Sequence, residues 1–184
     1  MQSVTAKVSQ RLGLLWRLRS RLSGWVLREL YTTCIRPVIE HSSVVWSGIS
    51  STDSVKLERL NRKAARLISN TKCRSDTPHD ILLARAGLQE LSHRRHLFQV
   101  LFTYRFVHTD LPSHIVEGLS HWLPDSTSQR SYLLRRQKTL RLPRAHKNIL
   151  KRSPLYSAFS FWNSLPTSLL ATSSVQSLKA YFHD

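Results

Sequence analysis

The run Asp53-Ser54-Val55-Lys56-Leu57-Glu58-Arg59-Leu60-Asn61-Arg62-Lys63-Ala64-Ala65-Arg66-Leu67-Ile68-Ser69 reads as a helix on periodicity alone. At about 100° per residue, Leu57, Leu60, Ala64, Leu67 and Ile68 share an arc of roughly a third of a turn, the stripe that an amphipathic helix turns toward a core. Lys56, Arg59, Arg62, Lys63 and Arg66 occupy another arc, and Glu58 is the only acid after Asp53. A solvated helix usually interleaves Glu with Lys or Arg for i,i+4 support. A cationic face without partners is either an ordinary solvated face or a surface for a polyanion, and this helix alone leaves both readings open.

Helical spacing continues on both sides. Val4, Val8, Leu12, Leu15 and Leu22 form a stripe near the start, and Ser23 is placed to cap a second helix carrying Trp25, Leu27, Leu30, Tyr31, Cys34 and Val38. Pro37 is expected to end or kink it near Ile35 to Arg36. Ser51 or Thr52 is expected to cap the central helix, and Thr77 a short one that starts at Pro78 and stops at Gly87. A longer helix follows from about Glu90 to His108, with Leu91, Phe98, Leu101, Phe102 and Phe106 inward and His93, Arg94, Arg95, His96 and Arg105 supplying charge. Ser113 to Leu119 reads as a short helix, and a closing one starts near Ser174 with Val175, Leu178, Tyr181 and Phe182 as its apolar side. The fold class expected is all-α. It divides into a helical body over 1–124, a basic arm over 125–152, and a C-terminal helical segment over 153–184 that packs on the body.

Twenty-eight Lys and Arg against eleven Asp and Glu give the 184 residues a formal net charge of +17. So cationic a chain attracts polyanions, because each phosphate it neutralises releases condensed counterions. RNA or DNA is the first such partner and an acidic membrane surface the second. From Arg130 to Arg152 the sequence carries Arg130, Arg135, Arg136, Lys138, Arg141, Arg144, Lys147, Lys151 and Arg152 with no acid among them, as an extended arm would. Hydrophobic residues at 41% are too many for a disordered basic tail, and 5 Gly with 7 Pro argue against a turn-rich β fold. No apolar run is long enough to span a bilayer. The acid-free stretch from Met1 to Arg28 fits either a packed helix or a mitochondrial presequence, and its stripe favours the helix.

Catalytic chemistry finds no foothold. The acids are scattered singly, unlike the adjacent carboxylates of a two-metal site. There is no Gly-rich phosphate loop and no G-x-S-x-G turn. His79 and Asp80 are neighbours on a helix and point apart, which makes His79 a first-turn surface residue. Cys34 and Cys73 lie far apart without ligand pairs at zinc spacing, so no metal and no cofactor is expected. Cys34 reads as a core cysteine on its helical stripe, and two lone cysteines fit a reducing, intracellular setting in nucleus or cytoplasm. Trp16, Trp25, Tyr31 and Trp46 are read as core rings first and as base-stacking platforms second.

Several spaced signals together resemble a known family. Arg11-Leu12-Gly13 is followed by Leu30-Tyr31, Ile35-Arg36-Pro37 and Val45-Trp46, then by Leu57 to Ile68 and Leu91-Ser92-His93-Arg94-Arg95. Arg130-Ser131, Leu134-Arg135, Leu142-Pro143 and Phe161-Trp162-Asn163-Ser164-Leu165-Pro166 complete the order. The ordered set resembles the C-terminal part of non-LTR (LINE, jockey-like) retrotransposon reverse transcriptases, downstream of the palm. The resemblance implies a thumb-like helical region and extension that grip template RNA and primer, with a separate palm as a further partner. The palm's paired aspartates have no counterpart here, so RNA-directed DNA polymerase activity does not carry over and no catalytic residue is assigned. Lys56, Arg59, Arg62, Lys63 and Arg66 are expected to track phosphates. Arg94, Arg95, Arg130, Arg135, Arg136, Lys138, Arg141 and Arg144 are expected to extend that groove. Phe161, Trp162, Asn163, Leu165 and Pro166 form a structural motif, with Trp162 in the core and Asn163 and Pro166 shaping the turn that ends its helix. The alternatives are a non-catalytic docking module and a basic mitochondrial or membrane-surface protein.

Overall fold

The structure is a computed structural model that describes residues 2–69, 77–108, 111–123, 140–170 and 174–182. Among these the protein is helical, with no strand. It divides into two compact units, 1–43 with 49–94 and 44–48 with 95–184. The division falls within one helix.

The first unit holds α1 (Gln2–Leu18), α2 (Gly24–Leu30), a π-helical turn (Tyr31–Ile35), α3 (Arg36–Glu40), α4 (Ser51–Ile68), α5 (His79–Ala86) and the start of α6 (Leu91–Val107). Val8, Leu12 and Leu15 are buried as α1 packs on α4. On α4 the whole expected stripe is buried, joined by Asn61 and Ala65. Ser23 caps α2 by accepting from the Val26 N–H. For α4 the cap is Ser50, one residue earlier than expected, accepting from Asp53 N–H at 3.1 Å. Thr77 does not cap α5: Pro78 takes that place without a side-chain bond. Gly87 closes α5 at φ +63°, the left-handed conformation glycine adopts without strain.

The α-helix changes pitch just before Pro37, close to the break expected near Ile35 to Arg36. An α-helical Pro37 lacks an N–H for the Thr33 carbonyl and presses its ring on that oxygen. The π-helical turn widens the backbone just before it, with Arg36 N–H donating to Tyr31 O. The wider turn also resets the helical phase, so Tyr31, Ile35 and Ile39 face inward while Cys34 is exposed, contrary to its core assignment.

In the second unit α6 continues from Arg95, followed by α7 (Ser113–Leu119), a 3-10 turn (Ser120–Trp122), α8 (Asn148–Lys151), α9 (Pro154–Ser164), α10 (Thr167–Leu170) and α11 (Val175–Tyr181). Phe106 stacks on Phe159 at 5.2 Å between ring centroids, Trp122 meets Phe159 edge-on at 5.3 Å, and Trp162 is 0% exposed with Tyr104 at 6.5 Å. Leu97 and Val100 are buried on α6, whereas Phe98, Leu101 and Phe102 are only partly covered. Leu178 and Phe182 are buried at the C-terminal end, and Tyr181 points outward. Val44–Gly48 belongs here because Gly48 meets the backbone of Arg152: a Cβ would lie 1.9 Å from its carbonyl oxygen.

The Trp-Asn-Ser-Leu-Pro motif does more than end a helix. Ser153 caps α9, with Pro154 at its first position. Asn163 then pairs with both backbone groups of Leu140: Leu140 N–H donates to Asn163 Oδ1 at 2.9 Å, and Asn163 Nδ2 donates to Leu140 O at 2.8 Å. This two-bond clasp secures the backbone at Leu140 to α9. Leu165 is buried, and the exposed Pro166 starts α10 by accepting from the N–H groups of Leu169 and Leu170.

Candidate nucleic-acid interface

α4 carries its cations on a helix held by polar contacts of the first unit. Tyr31 Oη donates to Asn61 Oδ1 at 2.8 Å, and Asn61 Nδ2 donates to Gln89 O at 3.0 Å. Glu58 Oε1 accepts from Ser92 N–H at 3.0 Å, satisfying a free donor in the first turn of α6. The one acid inside the cationic run is thus used inward.

Lys56, Arg59 and Lys63 are exposed, at i, i+3 and i+7 along one side of α4. At ~1.5 Å rise per residue the row is about 10 Å long. Lys56 Nζ pairs with Asp53 at 3.3 Å. Among the described residues no acid pairs with Arg59 or Lys63. Arg62 is half-buried and committed: its Nε donates to His79 Nδ1 at 3.3 Å. His79 is accordingly no surface bystander, since its Nε2 lies 3.6 Å from Glu58 and 4.0 Å from Glu90. Arg66 is half-buried, and its shielded Nε has no hydrogen-bond partner among the described residues.

Arg94 and Arg95 do not extend the row. Arg94 Nη2 donates to Glu40 Oε2 at 3.1 Å, and its Nε bonds the other oxygen of that carboxylate. Arg36 lies 3.6 Å from Glu40, and burial, followed by the nearby Arg94, pulls its guanidinium below the usual pKa. Arg95 is 9% exposed, its guanidinium 6.0 Å from the Trp46 ring centroid. Arg141 and Arg144 are exposed in the second unit, where Arg141 N–H donates to Trp122 O at 2.8 Å. Arg130, Arg135, Arg136 and Lys138 lie outside the described residues, as does Cys73.

Two rings read first as core are on the surface: Trp16 is 54% exposed and Trp25 69%. Each sits off its helix's buried stripe, Trp16 one residue past Leu15 and Trp25 two before Leu27. Arg19 covers Trp16, its guanidinium carbon 3.6 Å from the ring centroid. Trp16 also borders a cavity of about 440 Å³ that α1 and α4 enclose with Lys63 and Arg66 at its wall. Sequence reasoning missed that juxtaposition. The i,i+3 spacing of Trp16 and Arg19 signals only the cation over the ring, and the approach of Lys63 and Arg66 from α4 leaves no such signal.

Among the described residues, no group of three or more His, Cys, Asp or Glu is placed to hold a metal ion, and no helix is long and apolar enough to cross a membrane. No known family model, curated protein or solved structure matches the chain.

Proposed function

We propose that this protein binds RNA or an RNA–DNA duplex through its phosphates, with little regard to sequence, as a thumb-like and downstream region of a non-LTR retrotransposon reverse transcriptase would. The observation that carries the reading is the row Lys56, Arg59 and Lys63, exposed along α4 with no acid among the described residues paired to Arg59 or Lys63, in a chain of net charge +17. A row of cations fixed at helical spacing neutralises successive phosphates, and phosphate contacts carry no base information. Polymerisation is not part of the proposal.

The test is a double charge reversal, Arg59→Glu with Lys63→Glu, which leaves the buried stripe and the Arg62–His79 contact alone. Binding to RNA of any sequence should weaken, with circular dichroism still helical. For the wild type, log affinity should fall linearly with log salt, at about 0.7 per phosphate contact on single strands. Wild-type affinity in the reversed protein at every salt concentration, or tighter binding to anionic vesicles than to RNA, rejects the reading.

A second reading, docking of a separate polymerase palm, is favoured by Leu14 and Leu18, which lie exposed one turn apart on α1 beyond its buried stripe. Leu14→Asp with Leu18→Asp should abolish co-purification with such a palm while leaving RNA affinity in place.

A further inference from the structure

The cavity between α1 and α4 lies within the first unit, and its walls are of two kinds. Leu12, Leu60 and Leu67, all nearly buried, supply an apolar lining. Trp16, Lys63 and Arg66 supply a half-exposed ring and two cations. Its volume of about 440 Å³ falls in the ~300–1,000 Å³ range of small-molecule sites. Lys63 belongs both to this wall and to the exposed row on α4, so a strand tracked by the row is led to the cavity.

Gly13 points the same way. It sits inside α1, where glycine destabilises a helix relative to alanine. A Cβ there would meet no atom of the described residues within 4 Å, so no packing among them calls for glycine. It lines the cavity, and the space above it is open to a ligand that approaches the helix closely.

We propose that this cavity holds one unpaired nucleotide of a bound single strand, its base against Trp16 and the bare edge of Gly13 and its phosphate on Lys63 and Arg66. The proposal rests on the phosphate-binding reading above and adds a base contact to it. Aromatic stacking with adjacent cations is the usual chemistry of single-strand recognition and is indifferent to base identity. Arg19 over Trp16 fixes the ring and adds positive charge beside it. A paired base inside a duplex is excluded, since both its faces are taken by its neighbours.

The experiment compares a labelled oligouridylate with a blunt RNA duplex by fluorescence anisotropy, using the full chain. Trp16→Ala should weaken single-strand binding by about tenfold or more while duplex binding barely changes, and Trp16→Phe should restore most of the loss. Gly13→Ala should also weaken single-strand binding, by about fivefold or more, while its Tm stays at or above the wild-type value. The salt slope should be unchanged in Trp16→Ala and lower by about 0.7 in Lys63→Ala. If the wild type binds both probes and neither Trp16→Ala nor Gly13→Ala changes the preference for single strands, the cavity is not a nucleotide site, and the phosphate reading stands alone. Equal loss on both probes likewise overturns the base contact. A wild type that binds neither probe overturns both proposals.

Discussion

The two units are held together by different chemistry. In 1–43 with 49–94, buried polar atoms latch the helices: Tyr31 to Asn61, Asn61 to Gln89, Glu58 to Ser92 and Arg94 to Glu40. In 44–48 with 95–184, rings do that work, with Phe106, Phe159, Trp122 and Trp162 meeting in one cluster. Directional bonds let a unit of small and medium side chains fix its helices, because each unmet buried donor or acceptor is costly. Rings gain mostly from buried area and tolerate varied geometry, so the second unit tolerates short helices and the irregular backbone from Leu140 onward.

The largest expected effect tests the aromatic unit. Trp162→Ala should cost about 3–5 kcal/mol, a large share of the ~5–15 kcal/mol that holds a typical domain. A thermal melt should shift downward and protease sensitivity should rise, with RNA binding lost only alongside the fold. An unchanged Tm with much weaker RNA binding would make the ring a stacking platform and remove the contrast between the units.

Tyr31→Phe tests the polar unit. It strands Asn61 Oδ1 in a buried site and should cost about 1–3 kcal/mol. The same phenol sets an alkaline limit. Burial pushes the Tyr31 pKa well above its ordinary 10.0, with Arg36 opposing and Glu40 and Glu58 adding to the rise. The folded protein thus keeps a proton that the unfolded chain releases near pH 10. Stability is intact below that pH and falls above it by about 1.4 kcal/mol per pH unit until the folded phenol also ionises. Urea titrations at increasing pH should show this slope, flattened in Tyr31→Phe. The same slope in both proteins would assign the alkaline loss elsewhere.

The smallest effect concerns the polar contact inside the aromatic unit. Asn163→Ala should cost about 1 kcal/mol and speed hydrogen exchange at the Leu140 amide. Asn163→Asp should not rescue it, because a carboxylate accepts from Leu140 N–H but has no donor for Leu140 O. Unchanged exchange at Leu140 in both variants would show that rings alone hold that segment.

Much of this was legible in the sequence where a residue's role follows from its own helix. The α4 stripe, the exposure of Lys56, Arg59 and Lys63, the Gly87 stop and the burial of Trp162 all follow from 3.6-residue periodicity and local backbone chemistry. Cys34 failed because periodicity assumes one pitch, and the π-helical turn before Pro37 changes it. Trp16 and Trp25 failed because a ring's bulk was weighed above its angular position.

By itself the sequence determined that the chain is helical, strongly cationic, and without the paired acids of a polymerase site. These are properties of composition and short-range spacing. Only the tertiary structure decided which cations stay available. Arg94 is neutralised by Glu40 and Arg62 is engaged by His79, from residues 54 and 17 positions away, while Arg66 is brought to a cavity beside Trp16. A charge's availability depends on what packs against it, and packing partners distant in sequence leave no periodic trace.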